Sequence, residues 1–427
     1  MIDIKLIREQ PAFVKENARR RQSQGKPNYV QFVEDTLAAD EKWRGVKQQV
    51  DELRHRRNIL SEEINKMRKA GGDVTALLKE AKELPILLMQ KEGLLVSLQA
   101  KISALLYLIP NLLDASVPLG KDAQDNPVLR KWGELPQPSF ELKNHVELAE
   151  SFTVADFDAG RKVAGQGFNY IIGKLAMLDV ALQRYGIDFL LKKGFTVVVP
   201  PLMLNKATLS GAVDLSAFAE VIYKVENEDL YLIGTAEHSL VSMLSDKILN
   251  QKQLPLKLCA VTPCFRKEIG AHGVDTKGLF RMHQFNKVEQ VVAVKPEESR
   301  AMLESMQKLT EKFFQSLKIP YRVIEICSGD LGGKFAKQYD IEAYFPRQRD
   351  YREVTSAGNC TDFQARRLNV RYEEKGERKY VHLLNNTMVA TSRAMVAILE
   401  NFQEADGTVS VPRVLWKYTG FRKIDSL

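Results

Sequence analysis

Residues 264–289 read Cys264-Phe-Arg266-Lys-Glu268-Ile-Gly-Ala-His-Gly-Val-Asp-Thr-Lys-Gly278-Leu-Phe-Arg-Met-His-Gln-Phe285-Asn-Lys-Val-Glu289. Both ends have strand composition, and 270–278 is a nine-residue loop with three glycines and several polar side chains. A strand–loop–strand hairpin is therefore predicted. Alternation along a strand puts Arg266 and Glu268 on one face, and likewise groups Phe285, Lys287 and Glu289. A guanidinium, carboxylates and an aromatic ring projecting from one hairpin suit an anionic, planar ligand. An ion pair on a solvated sheet face is the plain alternative for any one of these residues.

Outward from the hairpin, short apolar runs predict strands at 219–223, 230–233, 291–294, 321–327, 340–345, 353–356 and 380–385. Residues 194–201 read as a turn and a buried strand stopped by proline. Helical spacing predicts helices over 168–193, 297–317 and 388–401. Strands joined mostly by hairpins, with helices segregated, define an α+β class: an antiparallel sheet packed on helices. A linker at 111–150, punctuated by Pro118, Pro127, Pro136 and Pro138, precedes this domain.

The N-terminal part differs in kind. Residues 1–38 read as a small helical cap around Phe13 and Val14. From Asp40, apolar residues recur at Val46, Val50, Leu53, Leu60, Ile64 and Met67, a heptad seam with Arg57 in one skipped place. Ala70-Gly-Gly-Asp73 stops that helix. A second seam runs through Leu77, Ala81, Leu84, Leu88, Lys91, Leu95, Leu98, Ile102 and Leu105 to Pro110, with Pro85 expected to kink it. Two such helices across so short a turn fold back as an antiparallel coiled coil at about 40–109. About 30 residues at 1.5 Å each make an arm on the order of 45 Å long. The outward helix carries the cluster Arg54-His55-Arg56-Arg57. Phosphate backbone contact is one reading of that charge, and a dimerisation coiled coil with a solvated face is the other. The predicted domains are 1–112 for the arm and 113–427 for the sheet domain.

Lys and Arg number 62 against 54 Asp and Glu in 427 residues, a net charge of +8 that is compatible with a polyanionic partner. No apolar run approaches the roughly 20 residues of a membrane span, and no export signal is read. The four cysteines, Cys259, Cys264, Cys327 and Cys360, lack CxxC spacing. That fits a reducing cytoplasm and speaks against a cysteine-based zinc site.

Several segments, taken in order, resemble the seryl-tRNA synthetase family of class II aminoacyl-tRNA synthetases. Residues 194–201 are similar to class II motif 1, 264–289 to motif 2 and 385–401 to motif 3. Thr235-Ala-Glu237 and Asn359-Cys-Thr-Asp-Phe-Gln-Ala-Arg-Arg367 resemble segments particular to the seryl enzymes. The string 273–285 is the most specific of them. The resemblance implies a serine–tRNA ligase reaction in two steps. Serine and ATP give seryl-adenylate and pyrophosphate, and the seryl group then passes to the terminal ribose of tRNA(Ser), with tRNA(Sec) a further candidate acceptor.

The same resemblance implies roles. Arg266 would hold the serine carboxylate and the α-phosphate, Arg393 the γ-phosphate, and Glu353 with Ser356 a Mg²⁺ ion; no zinc is expected. Phe285 would stack on adenine and Glu268 orient it. Met282, His283 and Gln284 accompany Phe285 in contacting ATP, and Val354 and Thr355 lie between the metal ligands. Glu289 and Thr387 would bind the serine hydroxyl beside Asn385, while Thr235 and Glu237 face its ammonium. Arg54, Arg56 and Arg57 would contact tRNA across a homodimer. Ser356-Ala357-Gly358-Asn359, where many relatives have Ser-Cys-Ser-Asn, and Ser392 in place of a glycine lean toward the archaeal or eukaryotic branch. A silent paralogue that only binds tRNA, and a relative that loads a carrier protein, are the alternatives.

Overall fold

The computed structural model describes residues 1–213, 220–268 and 278–426. The chain divides into two compact units, Met1–Pro110 and Asn111–Leu427.

In the first unit, short helices Ile4–Glu9 and Pro11–Arg20 precede two long ones, Tyr29–Lys69 and Thr75–Leu108. The outward helix thus begins at Tyr29, before the expected Asp40. Asn28 caps it, its side chain accepting from the Gln31 amide, and the apolar pattern continues through buried Val33 and Ala39. Gly71, at φ 70°, makes the turn that sends the chain back. Val50, Leu60, Leu84, Leu88, Ile102 and Leu106 are the buried seam, whereas Met67 near the tip is 42% exposed. Pro85 lies within the helix Thr75–Leu108, which continues through it. Charged residues bridge the two long helices. Arg54 reaches Glu92 at 2.6 Å, and Arg56 grips both oxygens of Glu80 at 2.7 Å.

The second unit is built on an eight-stranded sheet. Its strands are β1 Val128–Trp132, β2 Thr196–Val197, β3 Leu256–Phe265, β4 Gln284–Val294, β5 Tyr321–Glu325, β6 Lys337–Phe345, β7 Asp350–Asn359 and β8 His382–Ala390. Their order is β1-β5-β6-β7-β8-β4-β3-β2, antiparallel throughout except for β2 beside β3. The reason for the layering is visible on β4. Val288, Val292 and Val294 join a core with Leu175, Leu178 and Leu182 of helix Gly173–Leu191 and Phe313, Phe314 and Leu317 of helix Ser299–Leu317. On the other face, Phe285, Lys287 and Glu289 line a cavity before Val291 and Ala293 enter a second cluster with Leu209, Leu240 and Leu368.

Four expectations change. Residues 194–201 hold only the two-residue β2, and Val197 and Val199 are exposed (94% for Val199), so no buried strand forms. Helix Gly173–Leu191 starts five residues after Phe168, whose ring stacks on His283. Met388 belongs to β8, and the helix that follows starts only at Thr391, running Thr391–Asn401. Ala219 and the loop at 269–277 lie outside the described residues, while 220–223 is turn and bend.

Candidate active site

A cavity of about 310 Å³ opens above the middle of the sheet, where β4, β7 and β8 meet the helix starts at Ala236 and Thr391. Arg266, Glu353 and Arg393 all line it. Arg266 stands just past the end of β3. Its Nε donates to the Gly234 carbonyl at 3.1 Å, and its guanidinium lies 5.5 Å from the centre of the Phe285 ring. Glu268 lines the cavity too but is paired to Arg281 at 2.7 Å, with φ of 43°. Alternation from Arg266 to Glu268 therefore does not apply, because both lie beyond the strand and the second is left-handed.

At the floor, Glu289 is 1% exposed and Thr387 7%. The register pairs them directly, the Thr387 hydroxyl donates to Glu289 Oε2 at 3.2 Å, and Lys287 sits 2.7 Å from the same carboxylate. Asn385, two residues along β8, donates to Cys360 Sγ at 3.7 Å.

One end of the cavity is formed by β7 and the start of helix Thr391–Asn401. Arg393 pairs with Glu353 at 2.9 Å, with the Phe280 ring 5.1 Å from its guanidinium carbon. Glu353 and Ser356 are three apart, so plain alternation would put them on opposite faces. A register shift against β6 resolves this. Ile341 pairs with Thr355 and Glu342 with Glu353, leaving Val354 as an extra residue. Burial and the nearby Glu353 push the Asp340 carboxyl up to about 8. Among the described residues no group of three or more His, Cys, Asp or Glu is placed to hold a metal ion.

At the other end, Thr235 caps helix Ala236–Ser242, its hydroxyl accepting from the Glu237 amide at 3.3 Å. Glu237, expected to face an ammonium, is already held by one from within the chain. Both its oxygens accept from Lys334, at 2.5 and 2.6 Å, and Gln364 donates to Oε1 at 2.7 Å. His238, the next residue, is pushed down to about 3 by burial, so it is neutral at ordinary pH.

Met282, Val354 and Thr355 are also at the cavity wall; His283 and Gln284 are not. His283 is held by Tyr223 and Phe168, with burial lowering its pKa. Gln284 faces a neighbouring cavity with Asn286 and Asp179. Sequence reasoning missed Lys334 and Gln338, which lie outside the motifs, and also His238 and Phe280, although the first adjoins the Thr235-Ala-Glu237 triplet and the second lies within 273–285. Gly358 explains one departure from the family pattern. A Cβ there would run into the ring of Phe335, which fills that part of the wall. Of the arm residues, Arg54 and Arg56 are engaged by Glu92 and by Glu80 and Glu63, and Arg57 is exposed.

The family model of the class II tRNA synthetase core domain (G, H, P, S and T) matches residues 222–402, the span that carries this cavity. The sheet unit is thus a class II aminoacyl-tRNA synthetase core. The seryl-tRNA synthetase N-terminal domain model matches residues 1–113. The serine–tRNA ligase of Methanocella arvoryzae is 47% identical over 98% of each chain, and that of Pyrococcus horikoshii is 47% identical over 99% of this chain and 97% of its own. The crystal structure of the Pyrococcus horikoshii seryl-tRNA synthetase complexed with ATP superposes with a TM-score of 0.96 at 46% identity over the whole of both chains. The cytoplasmic serine–tRNA ligase of Naegleria fowleri in complex with AMP gives 0.88 at 34% identity, covering 100% of this chain and 99% of its own. This chain belongs to the seryl-tRNA synthetase family.

Proposed function

We propose that this chain activates L-serine with ATP and transfers the seryl group to tRNA(Ser). The observation that carries the reading is the convergence of Arg266, Glu353 and Arg393 on one cavity whose floor is Glu289 and Thr387. Adenylate formation asks chiefly for positioning and charge neutralisation. Arg266, anchored at Gly234 and lying against Phe285, brings the serine carboxylate against the α-phosphate. Its two-pronged guanidinium offsets their mutual repulsion, which a lysine point charge does less well. Phe285 stacks the adenine and Arg393 takes the γ-phosphate. Thr387, Glu289 and Asn385 receive the hydroxyl, which sets serine apart from alanine.

The residues fit Mg²⁺. The Val354 bulge brings a carboxylate and a hydroxyl, both hard oxygen ligands, to the wall of one cavity. Glu353 and Ser356 would hold the ion, with ATP oxygens completing its shell. Once bound, Mg²⁺ supplies neutralisation of the polyphosphate.

A homodimer is part of the reading. Val199, Val180 and Met177 leave large apolar surfaces exposed near motif 1. The arm is proposed to bind tRNA, with Arg57 the freest of the three predicted arginines to meet phosphate. Among the described residues no helix is long and apolar enough to cross a membrane. The four cysteines, all buried and unbridged, support a cytoplasmic location. Serine-dependent ATP–pyrophosphate exchange, followed by charging of tRNA(Ser) and tRNA(Sec) transcripts, tests the whole. Exchange with alanine or threonine but not serine would overturn it.

A further inference from the structure

Lys334 occupies a place that the reaction as read so far does not explain. Its ammonium contacts both oxygens of Glu237, the carboxylate assigned to the serine ammonium. Both groups are enclosed, with side-chain exposures of 16% for Lys334 and 4% for Glu237. The base of the lysine is fixed. The Asn111 amide donates to the Gly333 carbonyl at 2.7 Å, its Nδ2 to the Lys334 carbonyl at 3.0 Å, and the Ala336 amide to Asn359 at 2.7 Å. The ammonium also lies 4.7 Å from the Phe335 ring centre. So the cation arrives from a tethered segment, 97 residues from its partner in sequence.

The hydrogen-bond count at Glu237 leaves room for a substrate. Oε1 accepts from Lys334 and Gln364, while Oε2 accepts from Lys334. An ionised carboxylate offers about four lone-pair sites. An isolated carboxylate this deep would take up a proton and lose its attraction for an ammonium. Burial does push Glu237 up, and Lys334, His238 and Gln364 bring it below its ordinary range. In return, burial opposes the Lys334 charge and Glu237 holds it above the usual lysine value.

We propose that Lys334 is a positioning residue for serine, keeping Glu237 charged and aimed so that Oε2 receives the substrate's ammonium. This rests on the serine-activating reading above. The other groups facing this pair are His238 on Glu237's own helix, Gln364, the Cys360 thiol, and Arg266, Lys287 and Glu289 across the cavity. Among the described residues Lys334 is the cation that forms an ion pair with Glu237, so its removal is not covered by a neighbour.

The test uses the full-length chain in ATP–pyrophosphate exchange between about pH 6 and pH 7.5, below the range in which α-amino groups titrate. For Lys334→Met, the serine KM is expected to rise about 10- to 100-fold at the acid end. The kcat and the ATP KM should stay within about twofold of the parent. The sign is set by Glu237. Without its counter-ion the carboxyl titrates higher, so raising the pH re-ionises it and the serine KM falls back toward the parent value. Lys334→Arg should restore most of the affinity. Glu237→Gln should raise the serine KM evenly across the pH range, and adding Lys334→Met to it should change little more. Lys334→Gln, which keeps a hydrogen bond without the charge, carries the same pH test should the methionine variant fold poorly. A Lys334→Met profile parallel to the parent, or a lowered serine KM, overturns the proposal. If the parent itself shows no serine-dependent exchange, it is the underlying reading that fails.

Discussion

Glu353 and Ser356 reach the same cavity because Val354 is an extra residue in the ladder between β6 and β7. Val354 itself is 1% exposed and belongs to the core beneath. The bulge turns an odd spacing, which alternation would split between two faces, into two oxygen-bearing side chains on one cavity wall. The cost is a locally broken ladder, and the gain, on the proposed reading, is a metal and phosphate subsite mounted on a strand.

Glu353→Gln keeps the shape of that subsite and removes its charge. Its kcat/KM for ATP should fall by about 10²–10³. The Mg²⁺ concentration giving half-maximal exchange should also rise, read from a Mg²⁺ titration at fixed ATP. An unchanged titration would show that this carboxylate does not meet the ion.

Arg266→Ala should reduce serine-dependent exchange by at least about 10³, and Arg266→Lys should recover only a small part. The lysine keeps the charge but loses the Nε bond to Gly234 and the flat contact with Phe285. Single-turnover formation of seryl-adenylate measures the chemical step directly.

Gly358→Ala places a methyl group against the Phe335 ring. Overpacking of this kind costs about 1–3 kcal/mol, seen as a lower denaturant midpoint. Phe335 adjoins Lys334, so the serine KM should rise as well. Phe335→Leu in the same chain should relieve part of both effects.

Removing Met1–Pro110 should spare exchange and abolish charging of tRNA, since the cavity is lined wholly by the second unit. In the intact chain, Arg57→Glu should raise the KM for tRNA(Ser) more than Arg54→Gln does, because Arg54 already answers Glu92. Losses in exchange with either arginine variant would mean that the two tasks are not divided as proposed.

Much of the plan was legible in the residues. The 3.5-residue apolar period announced the two arm helices, and Gly71 marked their turn at the right place. The hairpin at 264–289 showed both its strands, and Phe285, Lys287 and Glu289 share a face as period two requires. Where the reading failed, a non-local term decided. Residues 194–201 are apolar enough for a buried strand, but only Thr196 and Val197 pair with β3, and their side chains, like that of Val199, are exposed. Arg54 and Arg56 look free in sequence because their partners stand 38 and 24 residues away on the returning helix.

The sequence by itself determined the arm, the α+β sheet unit and the motifs that assign the family, because these depend on periodicity and on residue types a few positions apart. Only the tertiary structure decided that Lys334 grips Glu237, that Phe335 takes the space left by Gly358, and that His283 turns away to Tyr223 and Phe168. Each of those is a contact between segments far apart in the chain. Its energy comes from shape and enclosure, which no local pattern of residues records.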